Sequence, residues 1–197
     1  MRSIFFVALV MGLWYGGDGI YVNLVSGKLT TFSMDTVEKY GVANSRYIRV
    51  TDGYYGNNLV YQYDQDTKRV DYVIIPVLTE SQLLALENEQ EVIARVAVKI
   101  DVNFRESDVS SWFDELEMNA DVTGVVQVGF DNISSEQARI LEEGGLKLND
   151  SLILISEGEE PRAFWLNLLM FLPGFLVIVF FIFILFSKTE EETNTTA

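Results

Sequence analysis

Residues 91–101, EVIARVAVKID, set Val92, Ala94, Val96, Val98 and Ile100 in alternation against Arg95 and Lys99. A period of two sends every second side chain to the same face of a pleated strand, so this segment predicts a half-buried β-strand. The text on either side of it has the same short-range grammar. Upstream, Thr79-Glu80-Ser81-Gln82 has the form of a capping box and predicts a short helix carrying Leu83, Leu84 and Leu86. Before it, Leu59, Tyr61 and Tyr63 alternate, and Val70, Tyr72 and Ile74 continue the rhythm after a polar link. With residues 47–51 (YIRVT), these runs predict a three-stranded antiparallel meander. Pro76 has no N–H to give to a ladder and is expected to end the third strand or to lie at an edge. Residues 52–58 (DGYYGNN) are expected to form a turn. Ser33 and Gly41 bracket a predicted helix over 34–40.

Downstream, Val109, Trp112, Phe113 and Leu116 stand at i, i+3, i+4 and i+7, the spacing of a helix with one aromatic face. Asp114, Glu115 and Glu117 form its solvated side. Residues 124–130 (GVVQVGF) predict a further strand, and Ser134 with Gln137 a second capping box, for a helix that Gly144-Gly145 end. Residues 152–155 (LILI) predict a short apolar strand. The fold expected is α+β: a small, mostly antiparallel sheet with short amphipathic helices. Alternation gives faces and not strand order, so an open sheet and a small barrel are both compatible with it.

Two apolar segments flank this domain. Residues 163–186 hold one polar side chain, Asn167, and no charge in 24 residues, which is long enough for a transmembrane helix. Pro173-Gly174 is expected to loosen or kink it. Near the N-terminus, Ile4 to Tyr15 is short for a span and fits either a signal peptide, with Gly17-Asp18-Gly19 as a small-x-small cleavage pattern, or an uncleaved anchor. The expected organisation is a signal-anchor segment at 1–25, an extracytoplasmic acidic domain at 26–160, a transmembrane helix at 163–186 and a disordered cytoplasmic tail at 187–197. Arg2 and Lys188 at the two ends place both termini in the cytoplasm and the domain in the periplasm or outside the cell.

Composition narrows the chemistry. The chain has neither cysteine nor histidine, which removes disulfides, thiol catalysis, Cys/His metal sites and the usual general base. Residues 18–162 carry 26 acidic and 12 basic side chains, a net −14, so phosphate backbones are repelled and no nucleic-acid partner is expected. The alternating carboxylates of residues 64–68 (DQDTK) begin like a calcium loop, but Lys68 stands where a third oxygen ligand belongs. No catalytic, cofactor-binding or metal-binding residue is assigned. Tyr54 and Tyr55, placed in a turn, are the candidate contacts with a partner. Asn167 is the candidate helix–helix contact, with the N-terminal apolar helix as one possible mate. The expected function is a membrane-anchored binding or scaffolding subunit of a prokaryotic envelope complex. The alternatives are a ligand-sensing outer domain that signals through the span and, behind it, a carboxylate-based hydrolase. The bilayer and a membrane-protein partner are the expected companions.

Overall fold

The structure is a computed structural model that describes residues 2–25, 27–127, 133–142 and 146–194, with side chains described between 10 and 180. The chain forms two compact units, Lys28–Glu160 and the paired terminal segments Met1–Gly27 and Pro161–Ala197.

The first unit is built on seven strands: β1 (Thr30–Ser33), β2 (Tyr47–Tyr55), β3 (Val60–Tyr63), β4 (Arg69–Leu78), β5 (Val92–Arg105), β6 (Asn119–Val126) and β7 (Leu146–Glu157). Their order is β1-β2-β6-β7-β5-β4-β3, and a further pairing of β2 with β4 closes the ring β2-β4-β5-β7-β6 into a five-stranded barrel. Ring neighbours are antiparallel except β5 and β7, which run parallel, as do β1 and β2. Closure rests on two residue pairs, Tyr54↔Leu78 and Tyr55↔Val77.

Val50, Val73, Ile75, Val77, Val96, Val98, Val122 and Ile155 fill the interior. Helix α2 (Met34–Tyr40) lies at the Arg95 end of β5 and contributes Met34 and Val37, both fully buried. Ser33 caps it through the Thr36 N–H, and Gly41, at φ 73°, donates its own N–H to the Val37 carbonyl. Helix α4 (Val109–Glu115) sits at the other end of β5, where Trp112 lies 5.4 Å from Phe104, centroid to centroid. Helix α3 (Glu80–Glu87) starts in the full capping box read from Thr79 and Gln82. Helix α5 (Ser135–Glu142) has its own box: the Gln137 N–H donates to Ser134 Oγ and the Ser134 N–H to Gln137 Oε1.

Several expectations are corrected. Residues 52–55 are not a turn. β2 runs on to Tyr55, and Asp52, at φ 59°, absorbs a bulge opposite β6 between Val50 and Gly53. Pro76 neither ends β4 nor lies at the sheet edge. Its carbonyl accepts from the Gly56 N–H, so its nitrogen points the same way, into the gap where the neighbour of β4 changes from β3 to β2. The middle of β5 is not half-buried, because Val96, Ala97 and Val98 are all inaccessible. The strand expected at 152–155 is the end of a longer β7, broken against β5 between Leu148 and Ile153. The expected strand over 124–130 is realised as β6, ending at Val126, and Phe130 lies outside the described residues.

The second unit pairs α1 (Arg2–Val25) with α6 (Phe164–Asn194). The helix does not stop at residue 186 but continues to Asn194 through Thr189 and the following glutamates. Extending an existing helix costs far less than nucleating one, which lets this polar stretch propagate. Pro173 is accommodated inside α6. Among the described residues no helix is long and apolar enough to cross a membrane, so the transmembrane helix expected at 163–186 is not found there. The described side chains of α6 stop at Phe180, short of the end of the apolar run.

Candidate functional site

Tyr54 and Tyr55 lie on the short seam that closes the barrel. Their backbone pairs with β4, and the Tyr55 N–H donates to the Met118 carbonyl at 2.9 Å. Tyr55 is a core residue, 5% exposed, and offers no ring face to a partner; Tyr54 is half-buried. Burial raises the Tyr55 hydroxyl well above its ordinary pKa, with the charges of Glu157 and Asp121 adding to the effect. The hydroxyl therefore stays protonated at any physiological pH, which suits a packing role. On a strand, successive side chains point to opposite faces, which is why the two tyrosines separate.

The outer face of β4 and β5 is occupied by the chain itself. Ile74 and Ala97 lie under Leu141 of α5, with Leu154 beside them. Gln137 Nε2 donates to the Tyr72 hydroxyl at 3.1 Å, and Asn58 Nδ2 to the Leu141 carbonyl at 3.2 Å. Farther along, Leu78, Val92, Ala94 and Leu146 form a satellite core with Leu86 of α3.

Two polar arrangements remain on this unit. The first is a shallow groove of about 370 Å³ with Leu86 and Leu146 at its base and Glu89, Gln90, Glu91, Glu142 and Lys147 around it. Lys147 Nζ pairs with Glu91 at 2.8 Å, and Glu91 with Glu142 holds the ammonium above its usual pKa. The second joins α2, α3 and β5. Arg95 Nη1 donates to the Glu38 carbonyl at 2.8 Å, a cation at a helix C-terminus. Gln82, whose Nε2 donates to the Ile93 carbonyl, also steadies the Glu38 carboxylate. Desolvation nonetheless leaves Glu38 above its ordinary pKa, and its Oε2 and the Arg95 Nε are buried without a partner.

Glu157 is the other carboxylate that burial raises. The two acids have separate surroundings: Glu38 faces Arg95 and Gln82, whereas Glu157 lies near Tyr55. They are not the close pair that acid–base hydrolysis needs. Residues 64–68 form the tip of the β3–β4 hairpin, where Asp64 Oδ1 accepts from the N–H groups of Asp66 and Thr67. Its carboxylate is turned toward its own backbone. Among the described residues no group of three acids is arranged to hold a metal ion.

Asn167 belongs to the helical unit and is fully buried. Its Nδ2 donates to the Arg162 carbonyl at 3.3 Å, the same oxygen that accepts from Asn23 Nδ2 of α1 at 2.9 Å. Asn23 Nδ2 also donates to the Gly19 carbonyl. Asn23, absent from the sequence-based candidates, thus ties α1 to the start of α6.

No family model, curated protein or solved structure matches this chain. Its function has to be argued from its own residues.

Proposed function

We propose that the chain is a membrane-anchored protein whose barrel is held on the extracytoplasmic side as a binding or scaffolding module, without catalysis of its own. The observation that carries this reading is the outer surface of the helical unit. Trp165, Leu169, Leu176 and Phe180 on α6, with Val10, Met11, Trp14 and Leu24 on α1, are large, apolar and exposed. A water-soluble pair of helices turns such residues inward; hydrocarbon is the surrounding that favours them outside. The uncharged run from 163 to 186 supports the same reading, since at ~1.5 Å per residue it extends ~36 Å, enough for the ~30 Å core of a bilayer. Arg2 and Lys188 near the chain ends favour a cytoplasmic location for both termini. The missing histidine and cysteine motivate the non-catalytic part.

The absence of cysteine makes the test direct. Single cysteines replace exposed Glu115 in the barrel unit and Ser187 after the apolar run, and intact cells are treated with an impermeant maleimide. The expected result is labelling of Glu115→Cys at once and of Ser187→Cys only after lysis, with the protein retained in alkali-washed membranes. Release into the alkaline supernatant would overturn the anchor, and the reverse labelling order would overturn the orientation. Purification in mild detergent then asks whether a partner remains bound. A sensing role is the second reading. It is favoured by the continuity of α6 from Phe164 to Asn194, a single rod that joins the apolar run to the polar tail.

A further inference from the structure

The contact between α1 and α6 is made where side chains are missing. Gly12, Gly16 and Gly19 fall at i, i+4 and i+7 of α1 and so share one face. The matching face of α6 carries Asn167, Met170, Phe171 and Gly174. A Cβ on Gly12 would stand 2.9 Å from the Met170 carbonyl oxygen, and one on Gly16 would stand 2.7 Å from the Phe171 nitrogen. Backbone meets backbone at both positions. In return, Leu13 fills the space left open by Gly174. The partners run in opposite senses, so the helices are antiparallel.

Gly19 has a different neighbour. A Cβ there would collide with the whole carboxamide of Asn167. That carboxamide is fully buried, and its Oδ1 has no hydrogen-bond donor. A buried acceptor without a donor is retained only where packing holds it, and the group packed on it is the bare Cα of Gly19, whose C–H is a weak donor. Asn23 completes the node one turn later through the Arg162 carbonyl.

We infer that α1 stays in the mature chain as the permanent mate of α6, with Asn167 as the residue that sets their register, and that the Gly17-Asp18-Gly19 pattern is a packing surface and not a processing site. Removal of a signal peptide would hydrolyse the peptide bond after Gly19, adding water to leave a Gly19 carboxylate and an Ile20 amine. A leader peptide offers its small-x-small motif beyond the end of its apolar helix. Here the motif lies inside α1, which continues to Val25, and Gly19 is covered by Asn167. The inference takes from the proposed function only that α6 is the anchor.

The test is an intact mass of the full chain, tagged at its C-terminus and purified from its native membrane in mild detergent. A mass that includes residues 1–19 is expected; a chain that begins at Ile20 would overturn retention while leaving the alkali-resistant anchor intact. The register is read separately from a Leu13→Cys, Gly174→Cys pair oxidised in membranes, in which loss of the leucine side chain makes room for the new Cβ on residue 174. An intramolecular crosslink is expected, reduced by more than half by Gly19→Leu and by Asn167→Leu. An unchanged yield in Asn167→Leu would remove the role given to the amide, and absence of the crosslink in the parent pair would overturn the pairing itself.

Discussion

The barrel and the helix pair solve the packing problem in opposite ways. In the barrel, β-branched side chains from several strands point inward and exclude one another's neighbours from water: Val73, Ile75, Val77, Val96, Val98 and Val122 are inaccessible. In the helix pair the contact face is made by glycines and one amide, while Trp165, Leu169 and Phe180 point outward. The difference teaches where the cohesion of each unit comes from. Removal of apolar area from water holds the barrel together, whereas the helices meet by close backbone approach, the term that would remain in the lipid proposed to surround them.

The sharpest way to break this contrast is a matched pair of truncations. Ile75→Ala should cost about 3 to 4 kcal/mol in the unfolding of the full chain in detergent, the usual range for an isoleucine deleted from a closed core. Ile178→Ala, on the exposed face of α6, should leave the same melt unmoved. An equal loss at both positions would mean that protein, not lipid, covers α6.

Next in size is a glycine of the barrel set against a glycine of the helices. A Cβ on Gly124 would overlap the Ser156 carbonyl across the β6–β7 seam, so Gly124→Ala should cost about 3 kcal/mol through forced displacement of a strand. Gly16→Leu should part the helices and leave the barrel transition in near-ultraviolet circular dichroism where it was. If Gly16→Leu lowered the barrel midpoint as well, the two units would have to be counted as one cooperative block.

A smaller effect concerns the Arg95 node. Arg95→Ala leaves Glu38 in partial burial without its cation and should cost about 2 kcal/mol, whereas Arg95→Met, which keeps the stem packed, should cost less. Chemical denaturation of the two variants side by side decides this. The least is expected from Glu157. Burial raises its folded pKa, so the folded state takes up a proton more readily than the unfolded one, and the contribution of this group is complete at low pH and lost as pH rises. Glu157→Gln should therefore melt above the parent at pH 7, and the gap should close below the ordinary glutamate value of 4.5. A gap that persisted at pH 4 would mean that the charge is not what the site resists.

Local features were legible in the sequence. The caps of α2 and α3 could be read from Ser33, Gly41, Thr79 and Gln82 because a cap involves residues only three or four apart. Closure of the barrel could not, since it depends on Tyr54↔Leu78 and Tyr55↔Val77, which no periodicity encodes. Asp52-Gly53 looked like a turn because aspartate tolerates positive φ; the same tolerance serves a bulge. The polar run Asn149-Asp150-Ser151 hid the continuity of β7, where Asn149 Oδ1 gathers the Ser151 N–H and hydroxyl into a local loop. Of the candidate site, Asn167 was visible as the lone amide in an apolar run. The Arg95–Glu38 contact spans 57 positions and was not visible. Gly12, Gly16 and Gly19 stood in plain view at helical spacing, but glycine reads first as a helix breaker or a cleavage signal.

The Asn23–Arg162 hydrogen bond, between residues 139 positions apart, also orders events in time. α1 is synthesised before α6, so it must wait through the synthesis of the intervening unit before its mate exists. A disordered loop of that length would make their meeting slow and would leave the glycine face open to other helices meanwhile. A unit that folds during the wait removes much of the loop entropy that a disordered connection would cost. The pairing of α1 with α6 is then late by translation order alone.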